Sequence, residues 1–305
     1  MDKPFRTVEE QVALLESRGM ATDGDTADIL LREGYYSVVN GYKAPFIDRN
    51  ASAAAKDDRY LPGSRFADVY SLFKFDRELR LLLFGRFSIS EETLKTVAAY
   101  CFSKAHAGQH EPYLNPASYD AENHQITRLI SDFETALGRN PRRPPKRKQY
   151  LDHYVSNHDE VPIWVLMKYM TLGQAFKVYC FQPESIRNDI AKTFSALYAN
   201  CHAKPILITQ RRLRLAYDHK KDFRNICAHD ERLYCARVAP SLDTAIGDVV
   251  NDLQLVLSKA EYVNFLTEYL KMMPTLAKDI SPEVMNQVLN DMKMSPVGEA
   301  FVVNE

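Results

Sequence analysis

The sequence predicts an all-α protein. Apolar residues recur at helical spacing along most of its 305 residues, strand-like alternation is scarce, and glycine and proline fall mainly between the helical runs. The length allows one large domain or two modest ones, and no linker or internal repeat divides the chain. We expect residues 1–60 to form an N-terminal helical extension packed on the core, 61–275 the helical domain and 276–305 a partly flexible C-terminal tail.

The first helix is expected over Thr7 to Arg18, with Val8, Val12 and Leu15 as its apolar stripe, Thr7 as N-cap and Gly19 as stop. A second covers Asp25 to Glu33. Tyr35 to Phe46 is an aromatic stretch broken by Gly41 and Pro45, and Ala51 to Arg59 reads as a polar, alanine-rich mobile loop. A long helix follows from Phe66 to about Phe102, with a bend expected near Gly85. Val69, Leu72, Leu79 and Leu83 form one side and Phe73, Phe84 and Phe87 widen it, which places this helix centrally in a bundle. Within it Asp76 and Arg80 stand four apart and can pair, with Glu91 and Glu92 beyond. Helix is expected again over Ala121 to Leu137, Pro162 to Phe181, Pro183 to Ala199 and His202 to Tyr217. A separate motif helix runs from near Asp218 to Val238, before Pro240. Periodic helices cover Leu242 to Met272, and the tail from Ser281 holds one weak helix.

With 46% hydrophobic and 26% charged residues the composition is that of an ordinary globular protein. The net charge of −1 means that any nucleic-acid surface is a local patch. No apolar run approaches the roughly 20 residues of a membrane span, and Met1 to Arg6 lacks the apolar core of a secretory signal; a cytoplasmic location is expected. The five cysteines (Cys101, Cys180, Cys201, Cys227, Cys235) are scattered and odd in number, which fits reduced thiols. Cys227, His229 and Cys235 lie close together, but their spacing matches no standard zinc pattern, and neither metal nor cofactor is expected.

One charged stretch stands out from this neutral background. Arg139, Arg142, Arg143, Lys146, Arg147 and Lys148 place six positive charges in ten residues, and the interleaved prolines forbid helix. It reads as a solvated loop or as a phosphate-gripping arm.

The chemistry concentrates at Arg224-Asn225-Ile226-Cys227-Ala228-His229, continuing Asp230-Glu231-Arg232-Leu233-Tyr234. Arginine is permanently charged and forks two hydrogen bonds onto phosphate oxygens. Histidine changes protonation near neutral pH and can move a proton. Helix residues turn by about 100° each, so Asn225 and His229 share a face, Arg232 lies one more turn along it, and the long Arg224 side chain can swing toward the same point. Arg211, Arg212, Arg214, Lys220 and Lys221 add positive charge, partly offset by Asp218 and Asp222. Such a set suits RNA, which carries its own nucleophile. A general base removes the 2′-hydroxyl proton, the oxygen attacks the adjacent phosphorus and the 5′-oxygen leaves, so the protein supplies position, proton transfer and charge stabilisation. Spacing alone does not decide for this chemistry, because a histidine on a helix is more often structural. Asp76, Arg80 and Glu91 read first as structural ion-pair residues, and as support for the site if the bundle brings them near His229.

The segment Arg224 to Tyr234 resembles the signature of the Abi-like (AbiD/AbiF) abortive-infection proteins, a branch of the HEPN ribonuclease superfamily marked by Arg-x4–6-His. Further segments resemble the same branch in the same order. They are Lys3-Pro4 with Glu10 to Leu15, Tyr35-Tyr36 with Gly41-Tyr42 and Pro45-Phe46, Tyr70 with Phe75 to Arg80, Ile89 to Glu92, and Pro162 to Leu166 with Leu172-Gly173. The likeness spans roughly residues 3 to 237. It implies a HEPN-type helical bundle with an N-terminal helical extension and additional C-terminal helices. It also implies metal-independent RNA cleavage leaving a cyclic phosphate and a 5′-hydroxyl, and a homodimer in which two Arg–His helices face each other. A bacterial anti-phage or toxin–antitoxin role follows, with a small regulatory RNA as a plausible second partner besides the RNA substrate. On this resemblance Arg224, Asn225 and His229 are the candidate catalytic residues, with Asp230, Arg232, Tyr234, Asp76, Arg80 and Glu91 in support. The sequence departs from the family at Asp230, where a second histidine is usual, and at Cys235, often asparagine. The alternatives are a non-catalytic RNA-binding HEPN protein and a helical scaffold whose polar motif seals a dimer.

Overall fold

Thirteen α-helices and no β-strand occupy the described residues of the computed structural model, which are 4–142, 149–238 and 243–294. In chain order the helices are α1 (Val8–Ser17), α2 (Thr26–Glu33), α3 (Arg49–Ala55), α4 (Phe66–Ala105), α5 (Asn123–Ala136), α6 (Gln149–Asn157), α7 (Ile163–Leu166), α8 (Leu172–Phe181), α9 (Glu184–Ala199), α10 (Gln210–Ala228), α11 (Ile246–Leu253), α12 (Lys259–Asp279) and α13 (Pro282–Met292). The only extended pairing among the described residues is three isolated bridges, Ala21 with Arg65, Ile47 with Tyr60 and Val238 with Thr244. The fold class expected from the sequence is therefore the one observed.

The chain divides into two units. The described part of the first comprises residues 4–84, 226–238, 243–248 and 264–294; that of the second comprises 85–142, 149–225 and 249–263. Helix α4 is continuous through Gly85, where the division falls.

In the first unit the helix ends follow from local chemistry. Thr7 caps α1 by accepting from the Glu10 N–H at 3.3 Å, and the Glu10 carboxylate accepts from the Thr7 N–H at 2.8 Å. The helix stops where Gly19 turns to φ +90° and the Met20 N–H reaches back to the Leu15 carbonyl at 3.1 Å. Helix α1 packs against α2, burying Leu15 and Leu30. The alanine-rich stretch expected as a loop is instead helix α3. Asp48 caps it by accepting from the Ala51 N–H at 2.9 Å, and alanine has the best helix propensity of any residue. The aromatic stretch forms a π-helical turn at Tyr36–Asn40 and a 3-10 turn at Ala44–Phe46. Its Tyr42 ring meets Phe73 edge-on at 5.3 Å and stacks on Tyr234 at 5.7 Å. At the far end, α13 packs on the Ala44–Phe46 turn and buries Val284, Val288 and Met292. Residues 276–294, expected as part of the tail, are thus helical and largely packed, while 295–305 lie outside the described residues, as does Lys3.

In the second unit, α5 packs against α8 and the 3-10 turns Pro112–Leu114 and Pro116–Ser118. Tyr113 meets Phe133 at 5.5 Å. Tyr217 is fully buried, donates its hydroxyl to the Ser90 carbonyl at 2.7 Å and meets Phe194 edge-on at 6.0 Å. Three sequence expectations change here. Residues Pro162 to Phe181 are not one helix, because Thr171 and Gln174 form a capping box (3.3 and 3.0 Å) that starts α8 afresh. Residues His202 to Thr209 are not helical, and a single helix, α10, replaces the expected pair either side of Asp218.

Candidate active site

Helix α10 ends at Ala228, ten residues before the end expected at Val238, and this changes the geometry of the motif. Asn225 opens its last turn and Arg224 directly precedes that turn, both in the second unit, and Asn225 is exposed. His229, also exposed, is the first residue past the helix and belongs to the first unit. Asp230 then takes a left-handed backbone conformation, φ +56°, and the Glu231 N–H reaches back to the Ile226 carbonyl at 3.1 Å. This is the same helix stop that Gly19 makes after α1, built on aspartate, one of the few residues with a side chain that tolerates the left-handed region. Arg232 is consequently not on a helical face one turn beyond His229. It lies in the loop that follows, its stem against Gly41 and its Nη1 donating to the Gly41 carbonyl at 3.1 Å.

That loop is held by a buried polar cluster wholly within the first unit. The Asp76 side chain is 0% exposed. Its carboxylate accepts from the Tyr42 hydroxyl (2.7 Å), Arg80 Nη1 (2.7 Å), the Leu233 N–H (3.0 Å) and the Tyr234 N–H (2.7 Å). Arg80 Nη1 also donates to the Tyr42 oxygen at 3.0 Å, and its Nη2 pairs with Asp230. A buried carboxylate is tolerated only when its lone pairs are met, and here the backbone after the motif meets two of them. Burial pushes the Asp76 carboxyl up, opposed by the Leu233 amide, Tyr42 and Arg80. The Tyr42 phenol is pushed up by burial and by the Asp76 charge. Cys227 is pushed up to about 12, first by burial and then by Asp76. No group of three His, Cys, Asp or Glu side chains among the described residues could hold a metal ion.

Of the candidate supporting residues, Asp76, Arg80, Asp230 and Tyr234 are therefore brought together, through side chains or backbone, beside His229 in the chain. Glu91 instead pairs with Lys95 at 2.6 Å in the second unit. Tyr42 is a member that sequence reasoning left without a role; a tyrosine in a buried aromatic run needs a hydroxyl partner, and that was the available signal.

The expected RNA-gripping cations separate as well. Arg142, Arg211, Arg212 and Arg214 are exposed. Arg139 spends its guanidinium on Glu111, with Nη2 at 3.0 Å from Oε1 and Nη1 on Oε2. Lys221 pairs with Asp218 at 2.8 Å. Lys220 is not a surface contact: it is 0% exposed, its Nζ stands 3.5 Å from the Tyr217 ring centroid, and burial holds its pKa well below the ordinary lysine value against the opposing charge of Asp252. Helical periodicity carries Lys220 inward with Leu213, Ala216, Tyr217 and Phe223. Arg143, Lys146, Arg147 and Lys148 lie outside the described residues.

The profile of the Abi-like protein family matches residues 28–235, about two thirds of the chain, and the chain belongs to that family. Membership suggests a part in abortive-infection defence. No curated protein and no solved structure matches the chain. Among the described residues no helix is long and apolar enough to cross a membrane.

Proposed function

We propose that this chain is a metal-independent endoribonuclease effector of a bacterial abortive-infection or toxin–antitoxin system. The observation that carries the reading is the exposed His229 at the end of α10, next to a residue pinned through Arg80 to the buried Asp76. An imidazole in such a place reaches solvent and substrate while its backbone is fixed by groups that solvent does not reach, which is how a working side chain is preorganised.

In this reading Arg224 stabilises negative charge on the phosphoryl oxygens and Asn225 orients the reacting groups. His229 takes the 2′-hydroxyl proton; the O2′–P bond forms as the P–O5′ bond breaks, and the 5′-oxygen receives a proton. The products are a 2′,3′-cyclic phosphate and a 5′-hydroxyl. Two copies of the chain pair, so that one imidazole serves as base and the other as acid. The exposed Arg211, Arg212 and Arg214 hold the RNA backbone and give the binding its salt dependence.

Purified protein incubated with total RNA in EDTA tests this. Cleavage that disappears in His229→Ala and Arg224→Ala supports it, and growth arrest on expression, relieved by His229→Ala, accompanies it. Salt-sensitive binding without cleavage would replace it with a non-catalytic RNA-binding protein.

A further inference from the structure

The loop that carries Asp230 also lines a cleft of about 470 Å³ within the first unit. From the π-helical turn and the residues after it come Tyr36, Gly41 and Tyr42; from the segment after α10 come Glu231, Arg232 and Arg237. Charged and polar side chains stand beside aromatic ones in its lining, unlike a groove made for a hydrophobic partner. Tyr36 is 79% exposed, a large ring left at the mouth of the cleft, and π-helical turns occur disproportionately at functional sites. Arg232 gives one N–H to the Gly41 carbonyl, which fixes its guanidinium, and a guanidinium carries five donors. Glu231 is exposed, with its carboxylate two residues from the clamped amide of Leu233.

A ring, a held guanidinium and a carboxylate are the three contacts that a nucleotide uses. An unstacked base lies on an aromatic face, its phosphate takes the guanidinium, and a carboxylate accepts from donors on the base edge. Among the bases, guanine alone presents two neighbouring donors, N1–H and the 2-amino group, to both oxygens of one carboxylate. We propose that this cleft is a guanine-nucleotide subsite for single-stranded RNA, with the base stacked on Tyr36, its N1–H and 2-amino group on Glu231 and its phosphate on Arg232. The inference rests on the ribonuclease reading for its use: the cleft would select a guanosine flanking the bond that His229 and Arg224 cut.

The test separates the two. His229→Ala protein is titrated calorimetrically with a nine-residue oligoadenylate, with the same oligomer carrying one central guanosine or one central inosine, and with guanosine 5′-monophosphate. The guanosine oligomer is expected to bind about tenfold tighter than oligoadenylate, on the scale of one bidentate hydrogen-bonded pair at a base edge. Inosine, which lacks the 2-amino group, recovers only part of this gain. The monophosphate alone binds more weakly than the oligomer. Tyr36→Ala and Glu231→Gln, both at exposed positions and checked for unchanged melting temperature, each abolish the preference. Equal binding of all oligomers, or a preference that survives both substitutions, overturns the subsite; tighter binding of the free monophosphate than of the oligomer overturns its assignment to RNA. Guanine preference in a protein that cuts no RNA would leave the subsite standing and remove the nuclease.

Discussion

The carboxylate of Asp76 and the backbone N–H of Tyr234 lie 2.7 Å apart across 158 positions of sequence. With the second amide at Leu233, this contact ties the loop after the Arg-x4-His helix to the N-terminal part of α4. Asp76 is thus the residue that sets where the motif's far end sits, and Arg80 extends the tie to Asp230.

Removing the carboxylate should therefore be costly. Asp76→Ala leaves Arg80, 3% exposed, without its buried partner and leaves two backbone amides unmet. Breaking a buried ion pair from one side costs about 3–5 kcal/mol. The urea midpoint of Asp76→Ala should fall accordingly. A variant within about 1 kcal/mol of the parent, the scale of an exposed pair, would show that the cluster is solvated and does not clamp the loop.

Asp230 combines a left-handed backbone with a side chain that is 72% exposed. Asp230→Gly and Asp230→Val both lose the Arg80 pair, so the difference between them isolates the backbone. Glycine adopts φ +56° freely, whereas a β-branched residue is a true outlier there. We expect the valine variant to be less stable than the glycine variant by about 1–2 kcal/mol in thermal melts, following the cost of the left-handed region. Equal stabilities would mean that the α10 stop does not need this conformation.

Much of this was legible in advance, for reasons that differ by residue. Thr7, Glu10 and Gly19 mark α1 because caps act within four residues and leave a local signature. Asp76 and Arg80 were readable as a pair by their spacing, but their attachment to Leu233 and Tyr234 is a contact of long sequence separation that no local pattern contains. The end of α10 was misplaced because Asp230 does the work usually marked by glycine, and the apolar periodicity of Leu233 and Tyr234 imitates another helical turn. Lys220 was misread because charge suggested the surface while its register on α10 carries it inside. Helix α3 is hidden because its flanking polar residues resemble a loop, whereas the propensity of its alanines and the Asp48 cap decide for helix.

Cys227 sits between Arg224 and His229 and would be a convenient probe if it were reactive. Burial and the Asp76 charge push its thiol up to about 12, and burial pushes Cys180 up to about 11. The thiolate is the nucleophile, so at pH 8 only about one Cys227 in ten thousand is ionised, against roughly a quarter of an ordinary thiol of pKa near 8.5. Mass spectrometry of native protein treated with iodoacetamide at pH 8 should find Cys227 unmodified until denaturant is added. Rapid labelling in the native state would contradict the raised pKa of this thiol.

Gly247, at the start of α11, leaves no room for a side chain. An added Cβ would stand 3.0 Å from the Met292 carbonyl oxygen and 2.8 Å from the Lys293 carbonyl carbon, and nearer still to the Lys293 oxygen. These are backbone atoms at the end of α13 and cannot rotate away. Gly247→Ala should lower stability by about 2–3 kcal/mol, at the upper end for overpacking, with Gly85→Ala, which meets nothing within 4 Å, as the neutral or stabilising control. Matching melting temperatures for the two would show that α13 does not close on α11.

In the proposed reaction His229 turns a ribose hydroxyl against its own phosphate. A short RNA containing a mapped cleavage site, resynthesised with a single 2′-deoxy sugar on the 5′ side of that bond, tests it in EDTA. The all-ribose strand should yield a 2′,3′-cyclic phosphate and a 5′-hydroxyl, and the substituted bond should stay intact while the strand still binds. Cleavage of the substituted bond, or a product with a 5′-phosphate, would contradict it.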